Sequence, residues 1–395
     1  MDVIEMEVAH KRVIVGLLEW ACERIELTDS QAELAAERYN TIGHWLADGE
    51  HPLLAGATIY PQGSMRIHTT VRPVRRLEHD VDLICVLPHT GPQLGVADVH
   101  RLVGDRLREH ATYRVMLERI NRGWRLNYAN EFHLDITPAV PDNGNGQNAI
   151  LVPDRALKVW KESNPKEYAT WFDAIARIQP LQASHGQRLL KADVEPLPED
   201  ISFHGALRRA VQVMKRHRDI QYLRRPDSDL CNAPISIVIT TLAAHAYQHV
   251  ARQAVHVDEF DLLLALVHTM RMFIDEGVDG SLWVPNPVNS RENFAEKWRV
   301  FPERYTAFVE WHTQFKSDVA ALANARGIDE VKRQLAKMLG DDTATVVLKE
   351  YTHRLSANRN ASGLAVAKST AGAVSVITAT AASAAIRPNT FFGSE

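Results

Sequence analysis

Two aspartates, Asp80 and Asp82, stand two residues apart at the start of the apolar run LICVL, residues 83–87. A short apolar run between acidic residues and Pro88 predicts a buried strand. Because side chains on a strand alternate between its two faces, both carboxylates should point to the same side. Carboxylates held together repel each other unless a cation neutralises them, and oxygen ligands at this spacing suit Mg²⁺. The pair therefore predicts a magnesium site at the mouth of a strand.

A third carboxylate is expected if two metal ions are to be held about 4 Å apart for an in-line displacement at phosphorus. Residues 131–136 supply it, because apolar side chains alternate there with Glu131, His133 and Asp135. If this strand lies beside the first one, the polar set faces the same cleft. Asp135 is the favoured third ligand, since it lies nearest the strand end before Pro138.

The dipeptide Gly63-Ser64 stands 16 residues before Asp80 and could bind phosphate. Glycine lets the backbone approach an anion closely, and the amides together with the Ser64 hydroxyl can bind phosphate oxygens. Each acid alone would be an ordinary turn or strand-end residue. The ordered combination of Gly-Ser, acid-x-acid and a third acid is much more specific, and it indicates phosphoryl chemistry.

The elements that must position these residues follow from the hydrophobic pattern. A helix is predicted over 8–27 and a second from Thr28 or Ser30 to about Leu46, with a capping box at its start. Further predicted elements are a helix at 96–110, strands at 113–120 and 131–136, and helices at 203–225, 233–253, 258–276, 303–325, 328–339 and 343–355.

Three regions of the chain are expected on this pattern. Residues 1–200 would form a catalytic domain with N-terminal helices, and its polar, proline-marked end at 178–200 would be the connection to a second domain. Residues 201–355 would form a helical nucleotide-binding domain. Residues 356–395 are predicted to be a flexible tail, because 361–395 hold few charges and show no helical or strand period.

The composition excludes several classes of protein. The 395 residues hold 45 Lys+Arg and 49 Asp+Glu, and a formal charge of −4 argues against a protein that coats long nucleic acid. The three cysteines form no CxxC pair, which argues against a disulfide framework or a cysteine zinc site. No apolar run long enough to span a membrane and no basic signal-peptide start is evident, so a cytoplasmic protein is expected.

The motifs Gln62-Gly63-Ser64, Asp80-Val81-Asp82 and Asp135 resemble those of DNA polymerase-beta-like nucleotidyltransferases. More narrowly, they resemble the bacterial cGAS/DncV-like nucleotidyltransferases, or CD-NTases, which make cyclic oligonucleotide signals in CBASS anti-phage defence. The resemblance extends in order over residues 10–355. It implies an α/β (α+β) fold, in which a mixed sheet and a C-terminal helical domain enclose the active site in the cleft between them.

The resemblance also implies residue roles. Asp80, Asp82 and Asp135 would be catalytic and would hold two Mg²⁺ or Mn²⁺ ions. The nucleotide-binding residues would be Gln62, Gly63, Ser64, Lys215 and Ser236. Lys215 matches the place of a family lysine that binds the triphosphate, Ser236 matches a phosphate-binding serine, and 286–294 matches a segment beside the active site.

The implied reaction joins nucleoside triphosphates, ATP or GTP among them, into a cyclic di- or trinucleotide with release of pyrophosphate. The product would act on a separate effector protein. The tail sequence Phe391-Phe392-Gly393 would be a site of conjugation by a ubiquitin-transfer-like partner, with an inert tail as the alternative. No membrane and no long nucleic acid is expected as a partner.

Several alternatives stay open on the sequence. The chain could be another nucleotidyltransferase of the superfamily that modifies an RNA, a protein or a small molecule, or a catalytically silent nucleotide-binding module. Lys215 could lie on a solvated basic helix, and Ser236 could bond its own backbone. Two departures from the family pattern are His68, where a small residue is expected, and the long spacing between Ser64 and Asp80.

Overall fold

The computed structural model describes residues 3–74, 79–128, 132–156, 158–182, 205–253, 255–256, 258–360, 365–367 and 383–385. The chain begins with two helices, α1 (Val3–Ile25) and α2 (Asp29–Ala47). Thr28 precedes α2 as its N-cap and forms a capping box with Gln31. One of the two helix starts predicted from the sequence is thereby confirmed.

A mixed sheet forms the next part of the molecule. Its elements are β1 (Thr58–Pro61), α3 (Gly63–Arg66), β2 (His79–Val86), α4 (Val96–Glu109), α5 (Ala111–Met116), β3 (Leu117–Arg119), β4 (Trp124–Tyr128), β5 (Phe132–Pro141), β6 (Ile150–Asp154) and β7 (Val159–Ser163). The strand order is β1-β2-β5-β4-β3, and β6 connects β5 to β7. Only the β2–β5 pair is parallel among these seven described strands.

One face of this sheet is apolar and covered by helices. Val81 and Leu83 from β2 and Leu134 and Ile136 from β5 are buried there. They share a core with residues of α2 and α4. Because side chains alternate along a strand, the intervening acidic residues lie on the opposite face.

The predicted strand at 113–120 is wrong over its first half, which forms α5. The His110 side chain caps this short helix by accepting a hydrogen bond from the Tyr113 amide at 3.4 Å. The two rings also stack with their centroids 4.0 Å apart, and Tyr113 is buried. A local cap and a buried aromatic ring therefore favour a helix where the residue pattern favoured a strand.

The second half of the molecule is mostly helical; helices are expected from residue 202 onward, and one further helix precedes that point. It contains α6 (Pro165–Ala176), β8 (Leu181–Gln182), α7 (Ala206–Leu223), α8 (Ser236–Gln253), β9 (Val255–His256), α9 (Glu259–Thr269), the short pairs β10 (Asp275–Glu276) with β11 (Leu282–Trp283) and β12 (Pro285–Asn286) with β13 (Asn289–Asn293), and α10 (Pro302–Asn324), α11 (Ile328–Leu339) and α12 (Asp341–Asn360). The fold is thus the expected α/β (α+β) combination of a mixed sheet and a helical region.

The two N-terminal helices pack on different parts of the molecule. Ile14, Leu17 and Leu18 of α1 share a core with α7 and α8, whereas α2 packs on the sheet. The spacing of apolar residues defines the buried face of a helix but not the partner that covers it. The domain boundaries at residues 200 and 355 stay a prediction.

Two sequence predictions fall mostly outside the described residues. Of the expected connection at 178–200, residues 183–200 are not described. Within the expected tail, β14 (Ala365–Ala367) and β15 (Ser383–Ala385) form a short antiparallel pair.

The segment Asp229–Gln253 is long and apolar enough to cross a bilayer by length and composition. However, 56% of its most apolar 18-residue window is buried inside the protein, as in a core helix.

Candidate active site

Parallel pairing of β2 with β5 brings the predicted acids to one face of the sheet. Asp82 lies opposite Asp135 in the register, and Asp80 lies opposite His133. The apolar residues between them are buried on the other face, which fixes the direction of the polar set. The three carboxylates singled out from the sequence therefore converge.

The carboxylates of this group affect one another. Burial, together with the negative charges of Asp135 and Asp80, raises the pKa of Asp82 to about 7. Burial and the charge of Asp135 also raise the pKa of Asp80, although Arg125 opposes this shift. A cation placed among the three would relieve this repulsion, so the donor set fits a divalent metal with oxygen ligands.

Arg125 on β4 supplies a positive charge that the sequence analysis missed. Its Nε and Nη2 donate to the two carboxylate oxygens of Asp135 at 2.6 and 2.7 Å, and Nη2 also donates to Asp80 at 3.2 Å. With Arg125 bonded to two of the three acids, no three His, Cys, Asp or Glu side chains in the described part of the chain are yet close enough together to hold a metal ion, so the carboxylates would have to approach one another around the ion. The alternation of apolar and polar side chains along WRLNY, residues 124–128, could have placed Arg125 on a polar face of the sheet. That Asp135 is its partner follows only from the register of β4 against β5.

The Gly63-Ser64 turn lies directly against Asp82. The Gln62 amide donates to the Asp82 carbonyl at 2.8 Å as β1 ends. Gly63 has a φ of +63°, and a Cβ at this position would lie 3.0 Å from Oδ2 of Asp82. The turn then closes on itself, since the Thr69 amide donates to the Ser64 carbonyl at 2.9 Å. Three predicted nucleotide-binding residues are thereby placed beside a predicted metal ligand.

The departure at His68 has a conformational explanation. His68 is exposed and has a φ of +55°, in the left-handed region that glycine adopts most easily. The loop therefore keeps the shape that a small residue would favour, with histidine in its place.

Replacing Gly63 by alanine should impair catalysis beyond its effect on folding. A left-handed non-glycine residue costs about 1–2 kcal/mol, and the added methyl group would also press on Asp82. Gly280→Ala is the matched control, because Gly280 has a φ of +74° and nothing lies within 4 Å of its Cβ position. We expect both variants to lose similar thermal stability and only Gly63→Ala to lose turnover. Equal turnover in the two variants would show that the contact with Asp82 is unimportant.

Lys215 on α7 is buried and reaches the same loop. Only 5% of the residue is exposed, so the alternative of a solvated basic position is wrong. Its Nζ donates to the Thr69 hydroxyl at 2.9 Å and to the Thr69 carbonyl at 3.2 Å. Burial, with a smaller contribution from the charge of Arg218, lowers the pKa of Lys215 to about 7.

Other side chains of α7 hold the backbone that follows Ser64. Arg208 donates to the Ile67 carbonyl at 3.1 Å, Gln212 to that of Thr70 at 3.3 Å, and Arg216 to that of Arg72 at 2.8 Å. Successive positions along the helix thus bind successive carbonyl groups of residues 67–72. This arrangement fixes the Gly63-Ser64 turn relative to α7.

Ser236, at the first residue of α8, is connected to this group indirectly. Arg218 donates to its hydroxyl at 2.9 Å and to the Pro234 carbonyl at 3.0 Å. Arg218 was not singled out from the sequence, because a basic helix offers several equivalent arginines. Glu78, two residues before Asp80 in the sequence, lies outside the described residues.

The 286–294 segment contains the β12–β13 pair and contacts β7. Asn289 and Arg291 bind the Glu162 carboxylate at 3.1 and 3.0 Å. Lys161 pairs with Glu296 at 2.9 Å. The helical half of the molecule is therefore joined to the strands of the first half at this position.

Comparison with known proteins identifies the family. Residues 17–175 match the Second Messenger Oligonucleotide or Dinucleotide Synthetase domain. A c-di-GMP synthase from Roseivirga ehrenbergii is 30% identical over 377 residues, which cover 94% of this chain and 95% of the relative. The chain belongs to the CD-NTase family. It is a nucleotidyltransferase that makes a cyclic oligonucleotide second messenger.

Solved structures of CD-NTases have the same fold. CdnG of Bradyrhizobium diazoefficiens, in complex with GTP, superposes with a TM-score of 0.63 at 23% identity, over 86% of this chain and 99% of that one. GTP-bound DncV of Vibrio cholerae gives a TM-score of 0.51 at 17% identity, over 86% of each chain. The expected polymerase-beta-like architecture is thereby confirmed, whereas the roles of the individual site residues stay predictions.

Proposed function

We propose that this CD-NTase joins two molecules of GTP into cyclic di-GMP and releases two molecules of pyrophosphate. The convergence of Asp80, Asp82 and Asp135 beside the Gly63-Ser64 turn carries the proposed chemistry. The choice of GTP rests on the c-di-GMP synthase that is similar over nearly the whole chain.

Each round of the reaction makes one bond and breaks one. A ribose hydroxyl oxygen of one GTP attacks the α-phosphorus of the other, and the bond from that phosphorus to the β-phosphate bridging oxygen breaks. Pyrophosphate leaves and the hydroxyl proton is released to solvent. A second identical step within the linear dinucleotide closes the ring.

Asp80, Asp82 and Asp135 are the residues that would hold Mg²⁺ or Mn²⁺, and three clustered carboxylates suit two such ions. When bound, these ions lower the pKa of the attacking hydroxyl and stabilise the leaving pyrophosphate. The protein's own part is to keep the three carboxylates on one rigid face, since β2 and β5 are paired along their length.

The triphosphate would be bound by the turn and by α7. Gln62, Gly63 and Ser64 provide backbone amides and a hydroxyl beside Asp82, and the charge of Lys215 would neutralise phosphate oxygens. Ser236 would join them through Arg218, which already binds its hydroxyl. Residues 1–200 would thus act as the catalytic domain and 201–355 as the helical nucleotide-binding domain.

The proposed setting is anti-phage signalling in the cytoplasm. The cyclic product would bind a separate effector protein, as the family resemblance implies. A ubiquitin-transfer-like partner would conjugate the C-terminal tail. The tail residues concerned, 391–393, lie outside the described residues, so this part of the proposal rests on the sequence alone.

Pyrophosphate release from each nucleoside triphosphate in turn tests the proposal. We expect GTP alone to support turnover with Mg²⁺ or Mn²⁺, with one pyrophosphate released per GTP consumed, and the Asp80→Ala/Asp82→Ala variant to release none. Turnover of ATP but not GTP would contradict the proposed substrate. Transfer of label to an RNA or a protein would favour another nucleotidyltransferase, and GTP binding without turnover would favour a silent module.

A further inference from the structure

Arg125 occupies the oxygens that a metal ion would need. Its guanidinium spans both carboxylate oxygens of Asp135 and also reaches one oxygen of Asp80. Strand pairing places Arg125 directly opposite Asp135, so the contact follows from the register of β4 and β5. The Asp135 side chain is only 14% exposed, compared with 27% for Arg125 and 55% for Asp80.

This geometry makes arginine and metal competitors. The two parallel N–H bonds take a lone pair on each oxygen of Asp135, so an ion that binds this carboxylate competes with Arg125 for the same two oxygens. A guanidinium and a divalent cation bound to the same carboxylate would also repel each other. Within the described residues, the guanidinium of Arg125 is hydrogen-bonded to Asp135 and Asp80 but not to Asp82, which lies next to Gly63.

We propose that Arg125 is a positioning residue that holds Asp80 and Asp135 together in the metal-free enzyme and is displaced when a divalent ion binds. The proposal rests on the proposed function, because it takes these carboxylates as the metal ligands. The positive charge of the arginine offsets the repulsion between the two carboxylates before the ion binds. It also weakens metal binding in the absence of nucleotide.

Binding of Mn²⁺ alone to the full chain, followed by electron paramagnetic resonance of the free ion, tests this. We expect Arg125→Gln to bind Mn²⁺ about tenfold more tightly than the wild type, because the competing charge-assisted bonds are gone. Arg125→Lys, which keeps the charge but not the two parallel bonds, should fall between them. Arg101→Gln is the matched control, since Arg101 is an exposed arginine paired with Asp98 on α4.

A second measurement keeps the proposal testable if the glutamine variant is unstable. Without metal, Arg125→Gln should melt at a lower temperature than the wild type, and saturating Mg²⁺ should raise its melting temperature by more than it raises that of the wild type. Equal or weaker Mn²⁺ binding by both Arg125 variants, with equal metal-induced shifts in melting temperature, would overturn the proposal.

These outcomes are distinct from a failure of the proposed function. If the acids are not metal ligands, the wild type and Asp82→Asn bind Mn²⁺ equally. If only the displacement of Arg125 is wrong, Asp82→Asn still binds Mn²⁺ more weakly than the wild type, while the Arg125 variants do not bind it more tightly.

Discussion

Replacing Asp82 by asparagine should reduce pyrophosphate release from GTP by about a thousandfold or more. Asp82 lies beside both Asp135 and the Gly63-Ser64 turn, and burial raises its pKa. Loss of its charge removes a ligand that would hold metal next to the triphosphate. Metal stabilisation of transition-state charge is worth several kcal/mol, and each 1.36 kcal/mol corresponds to a tenfold change in rate.

The same substitution should leave the protein folded. Asparagine has nearly the same shape. Because the pKa of Asp82 is raised to about 7, its negative charge at pH 8 lowers the stability of the folded protein relative to the unfolded chain, and asparagine carries no charge. A melting temperature at pH 8 no lower than that of the wild type is therefore expected. Asp105→Asn, which changes an exposed acid on α4, should alter neither pyrophosphate release nor the melting temperature. Wild-type turnover by Asp82→Asn would exclude this carboxylate from catalysis.

Replacing Lys215 by methionine should lower kcat/KM for GTP by about a hundredfold. Its ammonium group is buried against the loop that carries Ser64, where a triphosphate would meet a positive charge shielded from water. Removal of one such preorganised donor costs a factor of about 10²–10³. Steady-state kinetics with Lys215→Met and Lys215→Arg measure this, and Arg216→Met is the control for a neighbouring buried cation that binds the Arg72 carbonyl.

Lys215 should also leave a signature in the pH dependence of stability. Burial lowers its pKa from 10.5 to about 7 in the folded protein, so the unfolded chain binds the extra proton between these values. The free energy of unfolding should therefore rise with pH from 7 to 10.5, by at most about 1.4 kcal/mol per pH unit from this group. Denaturant titrations at several pH values in this range measure the free energy of unfolding. It should rise less steeply with pH for Lys215→Met than for the wild type.

Nucleotide binding should reverse the pKa shift of Lys215. A bound triphosphate favours the charged ammonium, so binding at pH 8 should take up protons from the buffer. Calorimetry of a non-hydrolysable GTP analogue, in two buffers with different ionisation enthalpies, measures that uptake. We expect it in the wild type and not in Lys215→Met. Equal proton uptake by both proteins, together with an unchanged kcat/KM, would contradict the proposed role.

Much of this site could be predicted because its parts are local in sequence. Asp80 and Asp82 share a strand, so the two-residue period was enough to place them on one face. The capping box at Thr28 is equally local, and the prediction of α2 held there. The third acid needed one further assumption, that its strand lies beside the first, and the parallel pairing confirms it.

The features that the sequence missed or left open depend on long-range partners. Arg125 becomes part of the site only through the register of β4 against β5. Lys215 stands among arginines that suggest a solvated helix, yet it is buried because α7 packs against residues 67–72. Likewise α1 has an apolar face in sequence, but whether the sheet or the helices cover it depends on the tertiary fold.

Mass spectrometry of the products formed from an equimolar mixture of the four nucleoside triphosphates tests the proposed activity most directly. With Mg²⁺ or Mn²⁺, the wild-type protein should yield cyclic di-GMP as its main product, and Asp82→Asn should yield none. A main product that contains another base, or a linear product that never closes, would contradict the proposal.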